Sequence, residues 1–205
     1  MVAPLNEEFA ATKDDVGIAM IKLLIRQRWC LSSSTKVELT RDGKTTEWFC
    51  IPEAWNLLNT GHAKLISLPL DCNKIDDQGA QKLAACLKKK NGALKRLILD
   101  GNLIGDEGAC ALAAAIKKGR CALKALDLDG NQVGDDGAKA LAEALSSPKV
   151  ALEQLYLGNN CIGDDGAVAF AKALQTGKCG HLKNLELCGN RVGDHGAKVL
   201  AQVAY

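Results

Sequence analysis

Three kinds of stretch in this chain carry residue types that could do chemistry. In "DGKTT", Gly43-Lys44-Thr45 reproduces the tail of a phosphate-cradling loop. Such a loop needs a further glycine five residues before Gly43, so that consecutive backbone N–H groups can wrap the phosphates; that position is Glu38. Asp42-Gly43 reads instead as a two-residue hairpin turn between the strands of "KVELTRDGKTTEWF". Cys179 and His181 could form a nucleophile–base pair or half of a metal site. Residues two apart in a loop seldom reach attack geometry, and neither an orienting acid nor a second ligand pair accompanies them. The acidic pairs Asp76-Asp77, Asp106-Glu107, Asp135-Asp136 and Asp164-Asp165 could hold calcium. They stand at the starts of helical patterns, where carboxylates accept orphan N–H groups and meet the positive end of the helix dipole. The expectation is therefore no catalytic residue, no metal and no cofactor.

Composition narrows the class further. The chain has 205 residues, 24% charged and 47% apolar, with a formal net charge of +2. That balance suits a globular protein and does not point to nucleic acid or an anionic membrane surface. Lysines at the helix ends, Lys88-Lys89-Lys90 and Lys117-Lys118 with Arg120, complement the negative dipole ends, and no aromatic residues interleave with them to stack bases. "VGIAMIKLLI" is too short to span a bilayer and holds Lys22. The nine cysteines form no C-x-x-C pair, no N-x-S/T acceptor is present, and "MVAPLNEEF" lacks the basic and apolar regions of a secretory leader. A reducing, cytoplasmic setting with free thiols is expected.

The elements that position these residues are written several times over. Leucine frames recur at Leu65-Leu68-Leu70, Leu94-Leu97-Leu99, Leu123-Leu126-Leu128, Leu152-Leu155-Leu157 and Leu182-Leu185-Leu187, at offsets of 29, 29, 29 and 30. Three residues after each frame comes Asn73, Asn102, Asn131, Asn160 or Asn190, and then Ile75, Ile104, Val133, Ile162 or Val192. A Gly-Ala pair follows at Gly79, Gly108, Gly137, Gly166 and Gly196. The alternating L-x-L predicts a short strand with both leucines inward. The asparagine falls where the chain turns, and its amide suits bonds to the turn's backbone. Ala138, Leu141, Ala142 and Leu145 then follow helical spacing. Asp106, Asp135, Asp164 and Asp194 read as N-caps of these helices, and Asp76 takes that place in the first unit. One unit cannot bury its leucines alone, so the units must stack.

The pattern L-x-x-L-x-L-x-x-N-x-I followed by a helix resembles the leucine-rich repeat. The period and the "GDxGAxxLAxxL" tail are similar to the ribonuclease-inhibitor-like class, which also occurs in the Ran GTPase-activating protein and in the sensor ends of nucleotide-binding innate immune receptors (NLRs). The resemblance covers residues 65 to 205. It implies an α/β fold, a right-handed leucine-rich-repeat solenoid or horseshoe arc of about five strand–helix repeats, with a ladder of asparagines between neighbouring turns. The expected units are 65–93, 94–122, 123–151, 152–181 and 182–205 within a domain over 63–205.

Residues 1–62 lack the frame and read as an N-terminal cap. An amphipathic helix is expected over 7–28, with Phe9, Val16, Met20, Leu23 and Leu24 inward, then a loop, the hairpin, and a short helix in "IPEAWNLL". Trp29, Trp48 and Trp55 suit a buried role there. At the other end, Tyr205, a continuing array or another chain would cover the last repeat.

In such an arc the residue inside each L-x-L points away from the core. Those positions are Pro69, Ile98, Asp127, Tyr156 and Glu186, flanked by Arg96, Asp100, Asp129, Gln154, Asn184 and Cys188. Constant leucines with varied outward residues suit a recognition surface. Ile98 and Tyr156 are expected as exposed apolar anchors. The resulting expectation is a non-enzymatic protein–protein interaction scaffold whose concave strand face binds a protein partner through Arg96, Ile98, Asp100, Asp127, Asp129, Tyr156 and Glu186. No nucleic-acid partner and no membrane span are expected, and the oligomeric state is left open. The alternatives are a small-GTPase regulator like the Ran activator, a host-targeted effector of an intracellular pathogen, and a truncated sensor domain.

Overall fold

A computed structural model describes residues 36–41, 45–50, 63–88, 93–118, 122–177 and 179–203. Seven strands form one sheet: β1 (Lys36–Arg41), β2 (Thr45–Cys50), β3 (Ala63–Pro69), β4 (Arg96–Ile98), β5 (Ala125–Asp127), β6 (Gln154–Tyr156) and β7 (Asn184–Glu186). Five helices alternate with the last five strands: α1 (Asp77–Leu87), α2 (Asp106–Lys117), α3 (Asp135–Leu145), α4 (Asp164–Gln175) and α5 (Asp194–Ala201). The sheet order is β2-β1-β3-β4-β5-β6-β7. β1 and β2 pair antiparallel with Arg41 opposite Thr45, so the expected hairpin strands form, but three residues separate the paired ends where a two-residue Asp42-Gly43 turn was expected. The turn residues themselves lie outside the described residues. So do the expected helices over 7–28 and in "IPEAWNLL", Trp29, Trp55, His62 and Tyr205.

From β3 onward every pairing is parallel and in register by repeat. Leu68, Leu97, Leu126, Leu155 and Leu185 stand side by side. The expected inward leucines are inward: Leu68, Leu70, Leu97, Leu99, Leu126, Leu128, Leu155 and Leu157 are fully buried. Each contributes about 1.5–3 kcal/mol of apolar burial. The helices supply the opposite wall of the core. Leu83, Leu112, Leu141 and Phe170 occupy one helical position in successive units, and all are buried. Strands pair at about 4.8 Å while packed helices stand about 8–10 Å apart, so the strand face is the inside of the arc.

Two hydrogen-bond ladders join the repeats. In the first, the Asn102 side chain accepts the N–H groups of Asn73 (3.0 Å) and Ile75 (2.9 Å) and donates to the Leu70 and Leu99 carbonyls. Asn131, Asn160 and Asn190 repeat this, each accepting from the preceding repeat through Ile104, Val133 or Ile162. This is the expected asparagine ladder. At its start, the buried Asn73 Oδ1 accepts no hydrogen bond among the described residues.

The second ladder corrects the capping expectation. Asp106, Asp135, Asp164 and Asp194 are the first helical residues, and the N-caps are Gly105, Gly134, Gly163 and Gly193. Asp106, Asp135 and Asp164, with Asp77 before them, cap the next helix instead of their own. Asp77 accepts from the N–H groups of Gly105 (2.7 Å) and Gly108 (2.9 Å). Asp106 takes Gly134 and Gly137, Asp135 takes Gly163 and Gly166, and Asp164 takes Gly193 and Gly196. A glycine cap has no side chain of its own, so the orphan N–H groups turn to the neighbouring carboxylate. Only α1 follows the expectation, with Asp76 as its N-cap accepting from Gly79 at 2.9 Å.

The turn before each asparagine needs one residue in the left-handed region. Gly101, Gly130 and Gly189 supply it without strain, while Cys72 (φ 55°) and Asn159 (φ 52°) do so with side chains.

Candidate functional site

Register arranges the outward residues into rows across the arc. Pro69, Ile98, Asp127, Tyr156 and Glu186 are direct neighbours on β3 to β7. Ser67, Arg96, Ala125, Gln154 and Asn184 form the row below. Two residues past the upper row stand Asp71, Asp100, Asp129, Gly158 and Cys188. The seven expected residues thus share one face of β4 to β7. On β3 the outward Ser67 is buried, whereas Pro69 is half-buried and Asp71 exposed.

Burial refines the expectation. Arg96 and Glu186 are exposed, whereas Ile98, Asp100, Asp127, Asp129 and Tyr156 are half-buried. Ile98 and Tyr156, expected as exposed anchors, are therefore half-buried. Leu103 is the exposed large apolar residue among those described, at 48%. It follows Asn102 on the turn edge, and the outward-position rule does not reach it.

Several of these carboxylates hold the backbone. Asp129 accepts the Gly158 N–H at 2.6 Å, and Asp127 accepts the Asp129 N–H at 3.1 Å. Both carboxyls are raised from their ordinary value, chiefly by burial. The charges of Asp129, Asp100 and Glu186 push Asp127 the same way, and those of Glu186 and Asp100 push Asp129. The backbone N–H that each accepts acts against the rise. Glu186 also accepts from the Cys188 thiol at 3.2 Å, which raises that thiol.

A second row, at the strand entries, was not among the expected residues. Lys95, Lys124, Glu153 and Lys183 follow the first leucine of successive frames at the strand entry. Glu153 pairs with Lys124 and, at 2.7 Å, with Lys183, and these two hydrogen bonds hold its carboxyl down at about 2. The signal was present in the sequence, since those lysines share the 29-residue offset.

The Cys179–His181 pair does not form a nucleophilic centre. Cys179 is buried and donates to the Ala173 carbonyl at 3.3 Å, and burial raises its thiol, the reverse of an activated cysteine. His181 is exposed. Among the described residues no group of three or more His, Cys, Asp or Glu is placed to hold a metal ion, and no helix is long and apolar enough to cross a membrane. Cys72, Cys110, Cys161, Cys179 and Cys188 are in no disulfide.

A family model described as "Leucine Rich repeat" matches residues 61–84, 91–113, 121–142, 152–171 and 178–201, more than half of the chain. No curated protein matches the chain. Among solved structures, a chain of the BIR3–SERK2 complex from Arabidopsis thaliana is 21% identical with a TM-score of 0.42. The alignment covers 63% of this chain, which spans only 58% of that one. Leiomodin-1 Actin-Binding Site 2 is 18% identical with a TM-score of 0.48, over 67% of this chain and 80% of that one.

Proposed function

The chain belongs to the leucine-rich repeat family, and from that premise we propose a non-enzymatic protein-interaction scaffold that holds its partner on the strand face. The observation that carries this reading is the row Ile98–Asp127–Tyr156–Glu186. Three consecutive strands keep their leucines in the core, and β7 packs its half-buried leucines against it, while the residue between the leucines changes in size and charge. Half-buried apolar side chains suit interface anchors, and the charged residues beside them suit the polar rim. The 29-residue offset and the Gly-Ala helix start support the ribonuclease-inhibitor-like class. Unpaired thiols among the described residues support a reducing, cytoplasmic setting. A small-GTPase regulator or a host-targeted effector would use the same face through the same non-covalent contacts.

The test is quantitative capture of partners by three forms of the chain. One is native, one carries Ile98→Ala with Tyr156→Ala on the strand face, and one carries Lys139→Glu on the exposed helix face. Capture of a protein by the native and Lys139→Glu forms, lost with the strand-face form, supports the reading. Loss confined to Lys139→Glu moves the interface to the helices and overturns it.

A further inference from the structure

The strand face is electrically two-sided. Toward the strand exits, the two outer rows hold Asp71, Asp100, Asp127, Asp129 and Glu186, and no position in either row is a lysine or arginine. Toward the strand entries stand Lys95, Arg96, Lys124 and Lys183, with Glu153 as the one carboxylate of that row. Lys124 and Lys183 are turned onto Glu153, which keeps them within the entry band. Ile98 and Tyr156 alternate with Asp127 and Glu186 in the inner of the two acidic rows, the one nearer the basic band. The bands are continuous because each 29-residue step adds one more strand in register.

The spacing of the bands limits what can touch both. From Lys95 to Asp100 is five residues, about 16 Å at about 3.3 Å per residue. A helix with its side chains is about 10–12 Å across, and its flanking side chains reach a few ångströms further. An extended strand is narrower and would cover one band alone. The four strands β4 to β7 span about 15 Å, the length of roughly ten helical residues.

We propose that the occupant of this face is a bipolar amphipathic helix of a partner protein, laid across β4 to β7. Its lysine and arginine flank covers the acidic band, its carboxylate flank covers the basic band, and its apolar stripe meets Ile98 and Tyr156. This deepens the strand-face reading and rests on it. The charge complementarity sets register and encounter rate, and the apolar centre supplies most of the affinity. Burial chiefly raises Asp127 and Asp129; the neighbouring carboxylates add to the rise, and cations over the band oppose that added part.

Three labelled helical peptides of identical composition test it by fluorescence anisotropy at two salt concentrations. One segregates its lysines and glutamates on opposite flanks of a leucine stripe. One keeps the stripe and mixes the charges. One keeps the charge flanks and scatters the leucines. The protein is used native, as Asp100→Lys with Glu186→Lys, as Lys95→Glu with Lys183→Glu, and as Ile98→Ala with Tyr156→Ala. Asp100 and Glu186 are chosen because, unlike Asp127 and Asp129, neither side chain accepts a described backbone N–H. Circular dichroism verifies each fold. The segregated peptide is expected to bind about tenfold tighter than the mixed one, to lose about tenfold with either charge reversal, and to weaken as salt rises. Equal binding of segregated and mixed peptides, or dependence on the acidic band alone, overturns the inference. If that binding still falls with Ile98→Ala and Tyr156→Ala, the strand-face reading survives. Binding unchanged in all variants, or none, removes both.

Discussion

Asp127 shows how one side chain on the strand face couples its charge to the stability of the fold. Its carboxylate accepts the Asp129 N–H, yet burial and the neighbouring carboxylates raise its pKa above the ordinary 3.8. A carboxyl raised in the folded state binds its proton more tightly folded than unfolded. Its ionisation therefore costs stability once the pH passes upward through that window, and the cost vanishes below 3.8. Asn keeps an acceptor oxygen and removes the charge. Asp127→Asn should raise the melting temperature at pH 7, with the gain shrinking to nothing as the pH falls below the ordinary Asp value. Melting curves across that range check it, and a gain independent of pH would refute the electrostatic account.

Within an element, the glycine of each Gly-Ala pair is explained by what lies across the repeat boundary. In α3, a methyl group on Gly137 would stand 2.8 Å from Asp106 Oδ1, 2.8 Å from Val133 Cγ1 and 2.9 Å from the Ala109 Cβ. Helix propensity alone favours alanine by up to about 1 kcal/mol. The crowding and the disturbed Asp106 cap oppose it, at a typical overpacking cost of about 1–3 kcal/mol. Gly137→Ala is expected to lower the urea midpoint. A raised midpoint would mean that the neighbouring helix yields easily. The first helix supports the same logic from the other side. Asp76 occupies the slot of Gly105, one repeat earlier, so α1 caps itself where no earlier repeat aspartate is in register with it.

The assembled array buries its leucines unevenly. Leu126, in the centre, is fully buried, whereas its equivalent Leu185 on β7 is half-buried with no strand described beyond it. A Leu→Ala change costs about 2–5 kcal/mol where the cavity cannot collapse or fill with water. Leu126→Ala should therefore cost the larger amount and Leu185→Ala about 1–2 kcal/mol, read from denaturant unfolding. Equal costs would show that the last repeat is as tightly held as the middle ones.

The linear order of residues sufficed for the repeat, the inward leucines and the strand–helix alternation, while the asparagine ladder was implied by the resemblance to leucine-rich repeats. The first three follow from side-chain periodicity within one unit and from the identity of units 29 residues apart. The row of outward residues was legible for the same reason, since strand alternation dictates which side a residue faces. Three things depended on how the units stack. Asp106 looked like a cap for its own helix because local rules compare residues three apart, while its donors, the N–H groups of Gly134 and Gly137, lie 28 and 31 residues onward. Ile98 and Tyr156 looked exposed because strand alternation gives the side a residue faces and not how far it is buried. The members of the two charged bands share the repeat offset in the sequence, but the ion pairs of Glu153 with Lys124 and Lys183 depended on how the units stack. Stacking brings each residue against one a full repeat away, and a hydrogen bond or a charge responds to that distance in space, whatever its distance along the chain.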